Sequence, residues 1–333
     1  MRPIQDALPL LATPQKIFII THHKPDGDAV GSVLGLTHYL MQKGHTVFPV
    51  VPSEVPNFLM WLPGVELLFN FEAESKKCFQ LFQEADLVFC LDFNDPTRTK
   101  HLTTELEQTK KPKFLIDHHL FPKDVWDFGM SVPEKSSTCE MVYDFINIDK
   151  GNTLINQPIA TCLYTGVLTD TGSFRFSCTT AETHAMVADL KSKGLEHTTI
   201  HEAVSDCWSP NRMRFLGYVL MQKMELFPEY QAGLIALDKN DLRQFDVSLN
   251  DTEGFVNQPL SVEGIRFATL ITERSDEVRL SFRSKGNFDV NAFARQYFNG
   301  GGHFNASGGK SNLSFQETIN FFKQILSEIH PDN

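Results

Sequence analysis

Lys113-Phe114-Leu115-Ile116-Asp117-His118-His119 is an apolar run that ends in three adjacent Asp and His side chains. The first four residues have the composition of a buried strand. Three such polar side chains at a strand end have few uses other than holding a metal ion or a phosphate. The pattern recurs along the chain. Ile17-Phe18-Ile19-Ile20 leads to His22, Asp26 and Asp28, and Leu87-Val88-Phe89-Cys90-Leu91 leads to Asp92. Asp170 lies in Leu168-Thr169-Asp170-Thr171-Gly172. Short continuous apolar runs between helical segments predict a parallel sheet covered on both faces. Such sheets bind ligands beyond the carboxyl ends of their strands, where His22, Asp92 and Asp117 stand. If those strands are neighbours, the polar side chains converge on one crevice.

Outward from these runs, Asp28 to Lys43 reads as a helix with Val30, Val33, Leu34, Leu36, Leu40 and Met41 apolar, closed by Gly44. A strand follows from Thr46 to Val51. Helices are expected at 137–147, 157–169, 180–193 and 197–206, with Pro158 suited to a first turn. Asp206-Cys207-Trp208-Ser209-Pro210 breaks the pattern, and a helix at about 211–226 reads as a connector. Beyond Pro228 strands are expected at 232–237, 265–272 and 277–283. A helix at 289–298, a Gly-rich loop and a last helix at about 315–329 complete the chain. The expected fold is α/β: an N-terminal domain with a mostly parallel sheet flanked by helices, a helical connector, and a smaller C-terminal α+β domain. The expected boundaries are 1–195, 196–229 and 230–333.

The composition excludes several classes. The 333 residues suit about two domains, and 41% hydrophobic content allows a real core. Most of the 28 Phe residues lie in apolar runs and read as packing. No apolar stretch approaches the ~18 residues of a membrane span, and the N-terminus lacks a signal core, so a cytoplasmic location without membrane association is expected. The six cysteines (78, 90, 139, 162, 178 and 207) contain no CxxC pair, which argues against a disulfide framework or zinc ribbon. A formal net charge of −11 disfavours long duplex nucleic acid, where phosphate neutralisation dominates affinity. A short anionic substrate remains compatible with it if bound cations supply local positive charge.

The carboxylates Asp26, Asp28, Asp92 and Asp170, with a minority of imidazoles, suit Mn²⁺ or Mg²⁺ rather than a thiolate-preferring ion. Crowding them is costly unless cations neutralise them. Two divalent ions would do so and would form the clamp used in phosphoryl displacement.

Taken together, these residues resemble the DHH phosphoesterase family. Thr21-His22-His23-Lys24-Pro25-Asp26-Gly27-Asp28-Ala29-Val30-Gly31-Ser32 looks like its first motif, and Asp117-His118-His119 is the motif that names it. Asp92 and Asp170 match two further motifs in order. Gly300-Gly301-Gly302-His303-Phe304-Asn305-Ala306-Ser307-Gly308-Gly309, preceded by Leu280-Ser281-Phe282-Arg283-Ser284, resembles the glycine-rich segment of the DHH-associated domain. The size is similar to the oligoribonuclease/pAp phosphatase branch.

The resemblance implies two divalent ions, Mn²⁺ first and Mg²⁺ or Co²⁺ as substitutes. His22 and Asp26 would bind one, Asp28 and His118 the other, and Asp92 and Asp170 would bridge them. Asp117 would orient a His, and His119 would face the substrate phosphate or leaving oxygen. In the second domain Arg283 and His303 would hold a phosphate or terminal nucleotide, with Ser284, Gly301, Gly302 and Asn305 beside them. The implied activity is hydrolysis of short single-stranded RNA to 5′-mononucleotides and of 3′-phosphoadenosine 5′-phosphate (pAp) to AMP. Linear or cyclic dinucleotides such as pApA and cyclic di-AMP, and pyrophosphate or polyphosphate, are rival substrates. A nucleotide sensor without turnover is the rival from another class, and a homodimer is left open.

Blander readings stand beside these. Asp28 is also an ordinary helix N-cap type, and Asp-Thr-Gly a common turn. His23 reads as a solvated neighbour outside the metal set, Arg98 as a carboxylate partner, and Arg175 as equally a surface or a cleft residue. The glycine run, taken alone, is a flexible turn.

Overall fold

Alternate apolar side chains along Ile17–Ile20, Leu87–Leu91 and Phe114–Ile116 are shared between two cores. Ile17, Ile19, Phe89, Leu91, Phe114 and Ile116 enter one, and Phe18, Ile20, Val88, Cys90 and Leu115 enter the other. Strands buried on both faces read as continuous apolar runs for this reason. A computed structural model of the chain describes residues 1–328 and divides it into two units between Cys207 and Trp208.

The first unit contains strands β1 (Arg2–Pro3), β2 (Lys16–Ile20), β3 (Thr46–Val51), β4 (Phe69–Asn70), β5 (Leu87–Leu91), β6 (Lys113–Asp117) and β7 (Phe128–Ser131). Its helices are α1 (Gly27–Gln42), α2 (Phe71–Glu84), α3 (Thr103–Gln108), α4 (Thr138–Ile148), α5 (Gln157–Asp170), α6 (Ala181–Ser192) and α7 (His197–Ser205). The sheet order is β1-β7-β6-β5-β2-β3-β4, and all its pairings are parallel. Helices α4 and α5 help build the first core, and α2 and α3 cover the other face. From β2 the chain turns first towards β3 and β4, then resumes on the other side with β5, β6 and β7. The β2–β5 boundary is therefore the topological switch point, where a crevice opens beyond the strand ends.

In the second unit α8 (Pro210–Tyr218) and a short π-helical turn (Val219–Lys223) precede β8 (Met224–Phe227). β9 (Ala232–Leu237), α9 (Lys239–Gln244), β10 (Phe267–Glu273), β11 (Val278–Ser284), α10 (Val290–Tyr297), β12 (Gly301–His303), β13 (Ala306–Ser311) and α11 (Phe315–Leu326) follow. Its sheet order is β12-β13-β11-β10-β9-β8, antiparallel except for β9 with β10. Phe293, Ile319 and Phe322 fill one face, and Phe215, Val219 and Phe255 pack on the other.

Two expectations need correction. The helix expected at about 211–226 ends sooner, because Met224–Phe227 is a strand paired with β9, and Phe215 and Val219 are buried in the second unit's core. The expected loop at 300–309 is largely a hairpin, with Gly301 opposite Gly308 and His303 opposite Ala306. Glycine is a poor strand former, yet β11 supplies a template that β13 pairs along its full length. The last helix and the second domain were expected to reach 329 and 333; residues beyond 328 lie outside the described ones. Among the described residues no helix is long and apolar enough to cross a membrane.

Candidate metal centre

His22 follows β2, Asp92 follows β5 and Asp117 ends β6, so three neighbouring strand ends deliver them to the switch point. Asp92 has φ +65°, a left-handed conformation that costs a non-glycine residue free energy. Its main-chain N–H donates to Ile116 O at 3.1 Å, so the neighbouring strand helps to hold it there. Its carboxylate is buried, with Oδ2 3.4 Å from His22 Nε2 and Oδ1 3.6 Å from His118 Nε2.

Asp26 caps α1, its Oδ1 accepting from the N–H groups of Asp28 and Ala29, while its Oδ2 lies 4.0 Å from His22 Nε2. Asp28 points the other way, into the N-terminus of α4. Its Oδ2 accepts from Thr138 N–H at 2.7 Å and its Oδ1 from Cys139 N–H at 2.8 Å. Two unsatisfied first-turn donors and the positive end of the helix dipole hold this buried carboxylate. Asp170, at the end of α5, places Oδ2 3.4 Å from His118 Nε2.

The structure thus forms two donor triads, His22/Asp26/Asp92 and Asp28/Asp92/His118, each with its atoms within 4.8 Å of one another, and Asp92 belongs to both. His22 Nδ1 lies 3.1 Å from His23 O, and His118 Nδ1 lies 3.2 Å from Lys135 O. In both rings Nδ1–H donates to a main-chain carbonyl, so Nε2 is the atom turned to the carboxylates: it carries a proton for them when no ion is bound and is the donor that would ligate one. That is the arrangement by which proteins orient metal-binding imidazoles. A carboxylate-rich donor set with two oriented imidazoles fits divalent Mn or Mg.

The electrostatics show what a cation would relieve. Burial, with the charge of Asp92, raises the Asp28 carboxyl above its ordinary value, and burial with the charge of Asp28 raises Asp170. Burial opposes protonation of His118, but Asp170, Asp92 and Asp28 outweigh it and lift the ring to about 9. Burial also disfavours charge on Asp92, but its hydrogen bond to His22 and the flanking imidazoles hold it below the usual carboxylate range.

His119 is set differently from His118. Asp117, fully buried, accepts from its ring Nδ1 at 2.7 Å and from its main-chain N–H at 3.1 Å. The implied orienting role of Asp117 therefore has a partner, His119. Sequence reading missed Thr138, whose Oγ1 donates to Asp92 Oδ1 at 3.0 Å, and Glu140, whose carboxylate accepts from Lys135, Ser136 and Thr183. Glu140 thereby braces the loop that holds His118. The signal was Ser137 three residues before Glu140, a capping pattern at the start of an apolar run.

Close helix packing joins Asp28 to Asp170. A Cβ on Gly31 would lie 2.5 Å from Cys162 O, and one on Gly166 would lie 2.2 Å from Cys139 Sγ and 2.8 Å from Asp28 Oδ1. Gly166→Ala is expected to destabilise the protein by about 1–3 kcal/mol through overpacking. It should also cut turnover by displacing Asp28. Thermal unfolding and an activity assay on one preparation check this, and wild-type values for both would refute it.

In the second unit Arg283 lies opposite Ala306, and Ala306 opposite His303, so Arg283 and His303 share one cross-strand row and one face. Beside that row a recess of about 340 Å³ is lined by Arg279, Lys310, Asn299, Gly300, Gly301 and Gly308. Asn305 Nδ2 donates to Ser284 Oγ at 2.8 Å and to Gly286 O at 3.1 Å, which pins the β12–β13 turn to the end of β11. Gly302 N–H donates to Asn291 Oδ1 at 3.0 Å. Ser284, Asn305 and the Gly302 N–H are therefore engaged in shaping the hairpin.

Comparison with known proteins agrees with this architecture. Residues 16–167 match the model of the DHH family N-terminal domain, and residues 234–329 match the DHHA1 domain. The chain is 31% identical to a bifunctional oligoribonuclease and PAP phosphatase NrnA of Thermus thermophilus, over 100% of this chain and 94% of the relative. It is 26% identical to the protein of that name from Bacillus subtilis, over 88% of each. A solved exopolyphosphatase-related protein from Bacteroides fragilis superposes with TM-score 0.93 at 36% identity, covering 97% of this chain and 95% of that one. The chain belongs to the DHH family.

Proposed function

We propose that this protein is a two-metal phosphoesterase that hydrolyses short oligoribonucleotides to 5′-mononucleotides and pAp to AMP in the cytoplasm. The observation that carries the reading is the pair of donor triads joined through Asp92, each with an imidazole fixed by a main-chain carbonyl. The relatives named for these two activities span nearly the whole chain, DHHA1 domain included, which favours nucleotides over pyrophosphate.

His22 and Asp26 would hold one ion, Asp28 and His118 the other, with Asp92 and Asp170 shared and Mn²⁺ the preferred species. Bound there, the ions supply Lewis-acid polarisation of a phosphoryl oxygen and lower the pKa of water. The chain's own residues do the rest. Asp117 fixes the His119 ring through Nδ1, so that Nε2 is the atom that meets the phosphate or gives a proton to the departing 3′-oxygen. The α4 N-terminus holds the Asp28 carboxylate in place. Arg283 and His303, in one row, hold the substrate's second phosphate or terminal nucleotide.

The test is side-by-side turnover of a diribonucleotide, pAp, pApA, cyclic di-AMP and pyrophosphate with Mn²⁺. The diribonucleotide and pAp should exceed cyclic di-AMP and pyrophosphate by at least about tenfold. Preference for either of the latter two, or tight pAp binding without turnover, overturns the reading. In the same assay Arg283→Ala should raise KM for the diribonucleotide by about 10–100-fold, the loss of one charged hydrogen bond. An unchanged KM removes Arg283 from the substrate site.

A further inference from the structure

Outside the Asp-rich centre, three other donors meet in the first unit. His23 Nε2 lies 3.2 Å and His101 Nε2 3.1 Å from the same oxygen, Glu72 Oε1, and the three atoms fall within 4.8 Å of one another. They come from the loop after β2, the first turn of α2, and the segment before α3. We propose that His23, Glu72 and His101 form a third metal site, selective for zinc-like late divalent ions, that clips these three segments together.

The spacing suits it. A tetrahedral ion with bonds of about 2.0–2.1 Å to nitrogen and oxygen sets its donors about 3.3 Å apart. The observed separations from Glu72 need shifts of only tenths of an ångström. The donors are also held in place. His101 stacks on Phe71 at 5.3 Å and 9°, and its main-chain N–H donates to Thr99 O at 2.7 Å. His23 N–H donates to Arg98 O at 2.7 Å.

The blander alternative is a surface ion-pair cluster, since Lys100 Nζ also lies 3.4 Å from Glu72 Oε1. Exposed pairs of that kind are worth little. Lys100 is more than half exposed and has room to swing into solvent when an ion takes its place. Two imidazoles that converge on one oxygen through Nε2 are the part of the arrangement that an ion explains better.

The donor set separates this site from the centre. Two imidazoles and one carboxylate favour late first-row ions, whereas the carboxylate-rich triads suit Mn²⁺ or Mg²⁺. Three protein donors also leave a fourth position for water or another small ligand. Because His23 directly follows His22, an ion here would restrain the loop that presents His22 to the centre.

The test is equilibrium dialysis of the full-length chain against micromolar Zn²⁺ in millimolar Mg²⁺, comparing wild type, Glu72→Gln, His101→Ala and Asp92→Ala. Wild type and Asp92→Ala should each retain one more zinc ion per chain at this site than matched preparations carrying Glu72→Gln or His101→Ala. Zinc should raise the wild-type Tm by several degrees more than that of Glu72→Gln. Glu72→Gln is nearly isosteric at an exposed position, so it decides the matter if His101→Ala fails to fold. Equal zinc stoichiometry in wild type and Glu72→Gln overturns the site. The readout is binding, so that failure would leave the proposed phosphoesterase activity untouched.

Discussion

Asp92→Ala is expected to lower kcat/KM for pAp by on the order of 10³-fold or more, equivalent to about 4 kcal/mol of transition-state stabilisation. Asp92 is the one carboxylate common to both donor triads, so its removal weakens both sites together. Asp26 and Asp28 each serve one triad, and Asp170, the other carboxylate proposed to be shared, belongs to neither triad, so none of them restores both sites at once. The same substitution should leave the metal-free protein folded with a modest loss of stability: alanine keeps the left-handed φ and takes an acceptor from His22 and Thr138, while losing the Asp92 charge eases the burden on Asp28 and Asp170. Two readouts therefore separate loss of chemistry from loss of fold: turnover falls, while the protein in chelator still unfolds cooperatively with a Tm within several degrees of wild type. Mn²⁺ should then raise the Tm much less than in wild type. Turnover within tenfold of wild type would remove Asp92 from the bridging position.

The ease with which this site could be read from sequence has a physical basis. Strands buried on both faces advertise themselves as apolar runs, and a parallel sheet collects their carboxyl ends on one edge. Ile17–Ile20, Leu87–Leu91 and Lys113–Ile116 were therefore visible, and so was the grouping of His22, Asp92 and Asp117. Elements stabilised by context were not. Helix α2 is dense in charge, and only Phe71, Cys78 and Phe82 are buried along it, so its apolar signal is thin. Its N-cap Asn70 was the available clue. Missing α2 also hid Glu72, and with it the partner of His23. The β12–β13 hairpin has the sequence of a loop because Gly301, Gly302, Gly308 and Gly309 carry no strand preference; tertiary pairing with β11 supplies it. For the supports of the site, Thr138 and Glu140, the Ser137–Glu140 capping pattern marks a helix start but not what the two residues brace. Thr138 reaches Asp28 and Asp92, and Glu140 reaches Thr183, across more than forty residues, while the local Glu140–Lys135 pair gains its meaning only because Lys135 O holds His118.

Chelation should make the protein's stability fall steeply as pH rises, and a divalent ion should reverse that trend. In the metal-free state the Asp28 carboxyl is raised to about 7 from an ordinary value of 3.8, and Asp170 is raised as well. The folded state therefore holds protons that the unfolded state has released, and stability falls as pH climbs from about 4 through about 7. His118 acts in the same direction at higher pH. Its folded value of about 9 exceeds the unfolded 6.5, so its contribution is complete below 6.5 and is lost as pH rises through 9. Asp92 is depressed, and its contribution declines only below the usual carboxylate range, outside this window. Each proton bound differentially is worth about 1.4 kcal/mol per pH unit, so the metal-free Tm should drop by several degrees between pH 6 and 8.5. A divalent ion requires these ligands deprotonated and replaces the mutual repulsion with attraction, so its binding strengthens with pH. The Tm gain from saturating Mg²⁺ over chelator should accordingly be larger at pH 8.5 than at pH 6. Thermal unfolding at both pH values, with and without the ion, measures it. An equal gain at the two would mean that Asp28, Asp170 and His118 do not bear the charge of the bound metal.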